Sequence, residues 1–179
     1  MGKKCLKKKI NKCFNYRYFR SGTSLPGILC AKLGANVILS DSACLPKSLE
    51  HIKRCCSLNN LKDGEDIRIL GLTWGLLGSS CFDVGKDLDM IIGSDCFYDP
   101  SVFEDILVTI SLLLELNPKA SFFFTYQERS SDWSLESLLR KWNLNCINVN
   151  LDRIGKDCGI DFKDYMGGHT IYLLEITRK

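Results

Sequence analysis

The sequence predicts an α/β fold: a doubly wound, mostly parallel sheet with helices on both faces and an antiparallel pair of strands at its end. Three observations carry this expectation. The apolar runs at 37–39 and 90–92 are too short for helices and suit buried parallel strands. Between such runs lie stretches with apolar residues three or four apart, the spacing of helices packed on a sheet. Two alternating segments, 146–151 and 169–176, come last and read as paired strands.

Residues 1–12 form a lysine-rich start that reads as a solvated tail, with a nuclear-localisation patch or a membrane-surface anchor as its functional options. A myristoylation motif from Gly2 wants Ser or Thr where Leu6 stands. Residues 13–19 are aromatic and can form a first strand, but they fall within a basic, poorly ordered segment 1–20, set apart from a domain spanning 21–179. The run from Ser21 to Gly27 precedes Ile28, Leu29 and Leu33 and marks a helix start. Gly34 ends that helix, and Asp41 closes the strand at 37–39.

Gly22 and Asp41 stand about 20 residues apart, the layout of a nucleotide site. A glycine turn lets the ligand approach the backbone, and an acid at the next strand's end accepts ribose hydroxyls. An ordinary strand–helix turn has the same spacing, so this stretch leaves both readings open. Leu45, Leu49, Ile52 and Cys56 then mark a helix, with His51 a surface or packing residue. A strand at 67–70 leads to Thr73, Trp74 and Gly75. Trp74 either stacks on a ligand base or belongs to the core. Residues 76–87 read as a loop.

The stretch 88–107 is central. Gly93 and Ser94 end a buried strand, and Asp95 stands at its carboxyl end, followed by Phe97 and Tyr98. Ligands of open α/β sheets sit outside the carboxyl ends of the strands, which gives this carboxylate and aromatic pair a functional reading. The alternative is that Asp95 caps the next helix. Asp99, Pro100 and Ser101 open a helix over 101–116, and Asn117 and Pro118 stop it. An aromatic strand at 121–126 and a polar loop at 127–130 follow. Leu135, Leu138, Leu139 and Trp142 mark another helix, and 152–168 reads as an irregular loop.

With 179 residues the chain suits one domain with a sizeable core. No apolar run reaches the roughly 18 residues of a membrane helix, and no signal-peptide pattern is present. The ten cysteines include no C-x-x-C pair and stand beside two histidines only, which predicts reduced thiols, no metal site, and a place in the cytoplasm and nucleus. Residues 1–20 hold eight basic side chains and no acid, so the net charge of +3 belongs to that segment and the rest is acidic. That balance favours a cationic partner over direct nucleic-acid binding, and no membrane partner is expected.

The runs Val37-Ile38-Leu39-Ser40-Asp41, Leu72-Thr73-Trp74-Gly75, Ser94-Asp95-Cys96-Phe97-Tyr98 and 125–136 resemble the seven-strand, Rossmann-like S-adenosylmethionine methyltransferases, and among them methyltransferase family 16. The resemblance covers about 21–178. It implies S-adenosyl-L-methionine as cofactor, with Gly22 near its methionine part, Asp41 on the ribose, and Trp74 and Gly75 bordering the adenine. It places Asp95 and Tyr98 beside the methyl group and the substrate. It also implies a protein substrate, a histone arginine for the nearest subgroup and lysine for its relatives. The family's first strand ends in Glu-x-Gly-x-Gly; here the matching positions read Tyr18-Phe19-Arg20-Ser21-Gly22. Arg20 sets a side chain where backbone approaches the ligand, which predicts weakened cofactor binding.

Methyl transfer to nitrogen asks mainly for orientation of the nucleophile. A guanidinium stays protonated, so its pocket needs carboxylates and aromatic faces. Asp95 is the first carboxylate candidate, with Asp99 and Glu128 behind it. Phe97, Tyr98 and Tyr126 are the aromatic candidates. Two other classes compete: a binding module that has lost its cofactor, and a nucleotide-sugar or dinucleotide enzyme, against which the missing glycines count.

Overall fold

In the computed structural model, the described residues are 15–19 (backbone only), 24–84, 87–127, 134–162 and 171–179. They form a sheet of seven strands: β1 (Asn15–Phe19), β2 (Asn36–Asp41), β3 (Arg68–Gly71), β4 (Met90–Ser94), β5 (Ser121–Gln127), β6 (Leu144–Asn148) and β7 (Ile171–Arg178). Their order is β3-β2-β1-β4-β5-β7-β6. The first five are parallel, and β7 runs antiparallel to both β5 and β6.

The sheet takes in residues 15–19, which the sequence places inside the basic segment 1–20. β1 lies inside it between β2 and β4, with Phe19 in register with Ser40 of β2 and Gly93 of β4. The order reverses direction across β1 and β4, the switch point where open α/β sheets leave a crevice.

The helices are α1 (Leu25–Lys32), α2 (Pro46–Leu58), α3 (Ser79–Val84), α4 (Phe103–Leu116), α5 (Glu136–Lys141) and α6 (Leu151–Cys158). Prolines sit in the first turns of α1 and α2, where their missing N–H costs nothing. α4 follows a 3-10 turn at Pro100–Val102. At its far end Asn117 donates to the Leu113 carbonyl and accepts the Leu88 N–H at 2.9 Å, tying the helix to the start of β4. Two elements differ from the sequence expectation. α3 replaces a loop because Cys81 and Val84, three apart, are buried on one face. α6 occupies the start of the segment read as irregular, with Asn150 accepting the Arg153 N–H as its cap.

Two apolar clusters flank the sheet. α1 and α2 bring Ile28, Ile52 and Cys56 onto Val37 and Leu39. α3, α4 and α5 cover the other face, with Ile106, Ile110 and Leu113 against Phe122 and Phe124. Neighbouring residues of β4 divide between them, Ile91 to the second cluster and Ile92 to the first, as successive strand side chains must. α1 sits so close that a Cβ on Gly27 would stand 2.3 Å from a Leu39 methyl. Among the described residues no helix is long and apolar enough to cross a membrane.

Candidate active site

The carboxyl ends of the five parallel strands share one rim of the sheet. Asp41 closes β2, Gly71 closes β3 and Ser94 closes β4. Past the strands, the Leu72 N–H donates to the Asp41 carbonyl at 2.8 Å. The Thr73 hydroxyl accepts the Ala43 N–H at 3.2 Å and lies 3.4 Å from the Ser42 hydroxyl. These bonds join the loops after β2 and β3 into one wall.

That wall bounds a cleft of about 290 Å3. Its acids are Asp41, Asp99 and Asp105, its aromatic residues Trp74 and Tyr98, and its apolar residues Leu45, Leu72 and Val102. Ser40, Ser42 and Thr73 add hydroxyls. The Asp41 side chain is only 7% exposed, and its Oδ1 accepts the Ser42 N–H at 2.7 Å. Among the described residues its Oδ2 has no hydrogen-bond partner. That oxygen is open to the cleft and can accept donors there.

Four sequence-predicted residues thus meet in the cleft: Asp41, Trp74, Tyr98 and Asp99. Asp95 sits on the same rim, just past β4, but is not among the lining residues. It is half-buried, its φ of 47° is left-handed, and its N–H donates to the Thr125 hydroxyl of β5 at 3.1 Å. The cap belongs to Asp99, whose Oδ1 accepts the Ser101 N–H at 3.0 Å and the Ser101 hydroxyl at 2.8 Å. Gly75 stands behind the lining with φ +78°, its N–H donating to the Thr109 hydroxyl at 2.9 Å.

Phe97 does not belong to a substrate pocket. It is fully buried, its ring centroid 4.8 Å from that of Phe124 and 5.3 Å from that of Phe103. Of two adjacent aromatics the apolar one fills the core, while Tyr98, 41% exposed, faces the cleft. Tyr126 is half-buried, packs against the larger apolar cluster and pairs with Tyr172 of β7, and is not among the lining residues. Gly22 and Glu128 lie outside the described residues, as do Arg20 and His169.

Asp105, Val102 and Leu45 were not foreseen as site residues. Val102 and Asp105 are three apart at the start of α4, so one side of that helix start faces the cleft. The eight described cysteines are free thiols. Burial pushes those of Cys30, Cys81 and Cys146 up, and that of Cys56 to about 11, which disfavours the thiolate at all four. Among the described residues no cluster could hold a metal ion.

A family model described as lysine methyltransferase matches residues 17–137. The chain belongs to methyltransferase family 16. Within this family it is 48% identical over 159 residues to the histone-arginine methyltransferase METTL23 of Xenopus laevis, a match that covers 88% of this chain and 66% of that protein. The chain therefore spans a little under two thirds of that relative's length. The Homo sapiens protein of the same name is 44% identical over 158 residues, with 88% and 81% covered. A TehB-like methyltransferase of Corynebacterium glutamicum superposes with a TM-score of 0.62 at 14% identity, covering 98% of this chain and 86% of that one, which shows the shared fold.

Family and fold imply S-adenosylmethionine as the cofactor, and the cleft suits its adenosine half. Its volume lies near the lower end for ligand pockets. The Asp41 carboxylate offers acceptors for a ribose diol, and Leu45, Leu72 and Trp74 offer apolar faces for a base. β1 ends beside Ser40 of that lining.

Proposed function

We propose that this protein is an S-adenosylmethionine-dependent protein N-methyltransferase whose acceptor is an arginine side chain, with a histone as the first candidate substrate. One observation carries it: Asp41, Trp74 and Tyr98, from the ends of three strands, line a single cleft on the rim where such sheets bind ligands. The cofactor, when bound, supplies a methyl group on a positively charged sulfur. Asp41 would hold the ribose, while Leu45, Leu72 and Trp74 exclude water around the base. Tyr98 and Asp99 face the acceptor from the loop after β4. Asp95 lies next to them and would orient a guanidinium and stabilise its charge. The acidic body supports a cationic acceptor and the names of the curated relatives support arginine; the family model's description is the reason to test lysine beside it.

The test is a methylation assay on histones and on matched peptides carrying arginine or lysine. Incorporation that follows arginine supports the proposal. Incorporation into lysine alone would reassign the acceptor.

A second reading rests on Tyr18 and Arg20, which stand where the family has an acid and a glycine. In it the chain is a cofactor-deficient binding module. Calorimetry with S-adenosylhomocysteine separates the two: no heat from this chain, with binding restored by Tyr18→Glu and Arg20→Gly together, would favour the module.

A further inference from the structure

Of the three carboxylates in the cleft, Asp41 accepts the Ser42 N–H through one oxygen and keeps the other for the cleft, and Asp99 serves as a cap. The third, Asp105, has no side-chain hydrogen-bond or ion-pair partner among the described residues, whereas its neighbour Glu104 pairs with Lys141. Asp105 is exposed, but its carboxyl packs on the neighbouring turn. A Cβ on Gly75 would stand 2.7 Å from its Oδ1 and 2.9 Å from its Cγ, so the carboxyl rests against the Gly75 backbone, next to Trp74. Thr109 holds the same turn from beneath, donating to the Asp105 carbonyl at 2.8 Å while accepting the Gly75 N–H.

We propose that Asp105 selects the base of the cofactor, its carboxylate accepting the exocyclic amino group of adenine. The assignment rests on the cofactor site proposed above. An ionised carboxylate can only accept. Adenine presents an amino donor on that edge, whereas a hydroxypurine presents a carbonyl acceptor there. The apolar faces of Leu45, Leu72 and Trp74 hold either base alike, so discrimination falls to a polar group, and rejection comes from setting acceptor against acceptor.

The test is titration calorimetry of the full chain with S-adenosylhomocysteine and with S-inosylhomocysteine, in which a carbonyl replaces the amino group. The wild type prefers the adenosyl compound by roughly tenfold or more, the range of a charge-assisted hydrogen bond. Asp105→Ala loses the preference while binding the inosyl compound at least as well as the wild type. Asp105→Asn, whose amide can donate or accept, lies between. Asp105 is exposed, so both variants are expected to fold. An unchanged preference in Asp105→Ala, or equal losses for the two compounds, overturns the assignment and leaves the cofactor site standing. Weakened binding of a basic peptide with the base preference intact gives Asp105 to the substrate and also overturns it. A wild-type chain that binds neither compound overturns the cofactor site itself, and this assignment with it.

Discussion

The Gly75 N–H and the Thr109 hydroxyl meet at 2.9 Å, joining the turn after β3 to α4 across 34 residues of chain. Thr109 is fully buried, while Gly75 is half-buried. Thr109→Val keeps the shape and strands the Gly75 N–H. We expect a loss of about 1–3 kcal/mol in urea unfolding, together with weaker S-adenosylhomocysteine binding, because the cleft wall loses its anchor. An unfolding midpoint equal to the wild type's would show that the anchor contributes nothing.

Asp41→Asn keeps an acceptor for the Ser42 N–H and removes the charge. Affinity for S-adenosylhomocysteine is expected to fall roughly tenfold, with the fold retained, since a charged acceptor for a ribose diol becomes a neutral one. Calorimetry reads the affinity and circular dichroism the fold.

Asp95→Asn is the sharper test of chemistry. Asn, like Asp, tolerates the left-handed φ of 47° better than most non-glycine residues do, so the turn survives the exchange. Methyl transfer is expected to disappear while cofactor binding persists. A variant that still turns over would remove Asp95 from the mechanism.

Phe97→Ala addresses the core alone. Removing a fully buried ring from between Phe103 and Phe124 is expected to cost about 3–5 kcal/mol. Denaturant melts measure that loss. If the variant kept its stability and lost peptide affinity instead, the ring would belong to the substrate.

Cys56 predicts an alkaline weakness. Burial, then Cys55 and Asp63, raise its thiol from 9.0 to about 11 in the folded chain. The unfolded chain ionises first, so the stabilisation is whole below about pH 9 and is lost as pH rises toward 11. Urea melts at pH 8 and pH 10.5 should show the decline, and Cys56→Ala should lessen it, the rest belonging to the buried Cys30, Cys81 and Cys146 thiols.

The alternation of strand and helix, the terminal antiparallel pair and the placing of Asp41, Trp74 and Asp95 at strand ends were legible in the sequence, because burial on two faces writes itself as short apolar runs. α3 and α6 were not. α3 is six residues long with two buried positions after a pair of serines, and α6 buries only Gly155, so neither carries a long apolar stripe. Asp95 and Asp99 show the same difficulty within the site: both are loop carboxylates before a helix, and only the backbone path decides which one caps it.

By itself, then, the sequence determined the layers, the rim and the family, since hydrophobic period and strand-end residues are local properties. Tertiary structure alone decided that Tyr98 faces the cleft while Phe97 enters the core, and that Asp105 comes to rest on Gly75. Those outcomes depend on how the loops after β3 and β4 pack against α4, and contacts between segments some 30 residues apart leave no periodic trace in the chain.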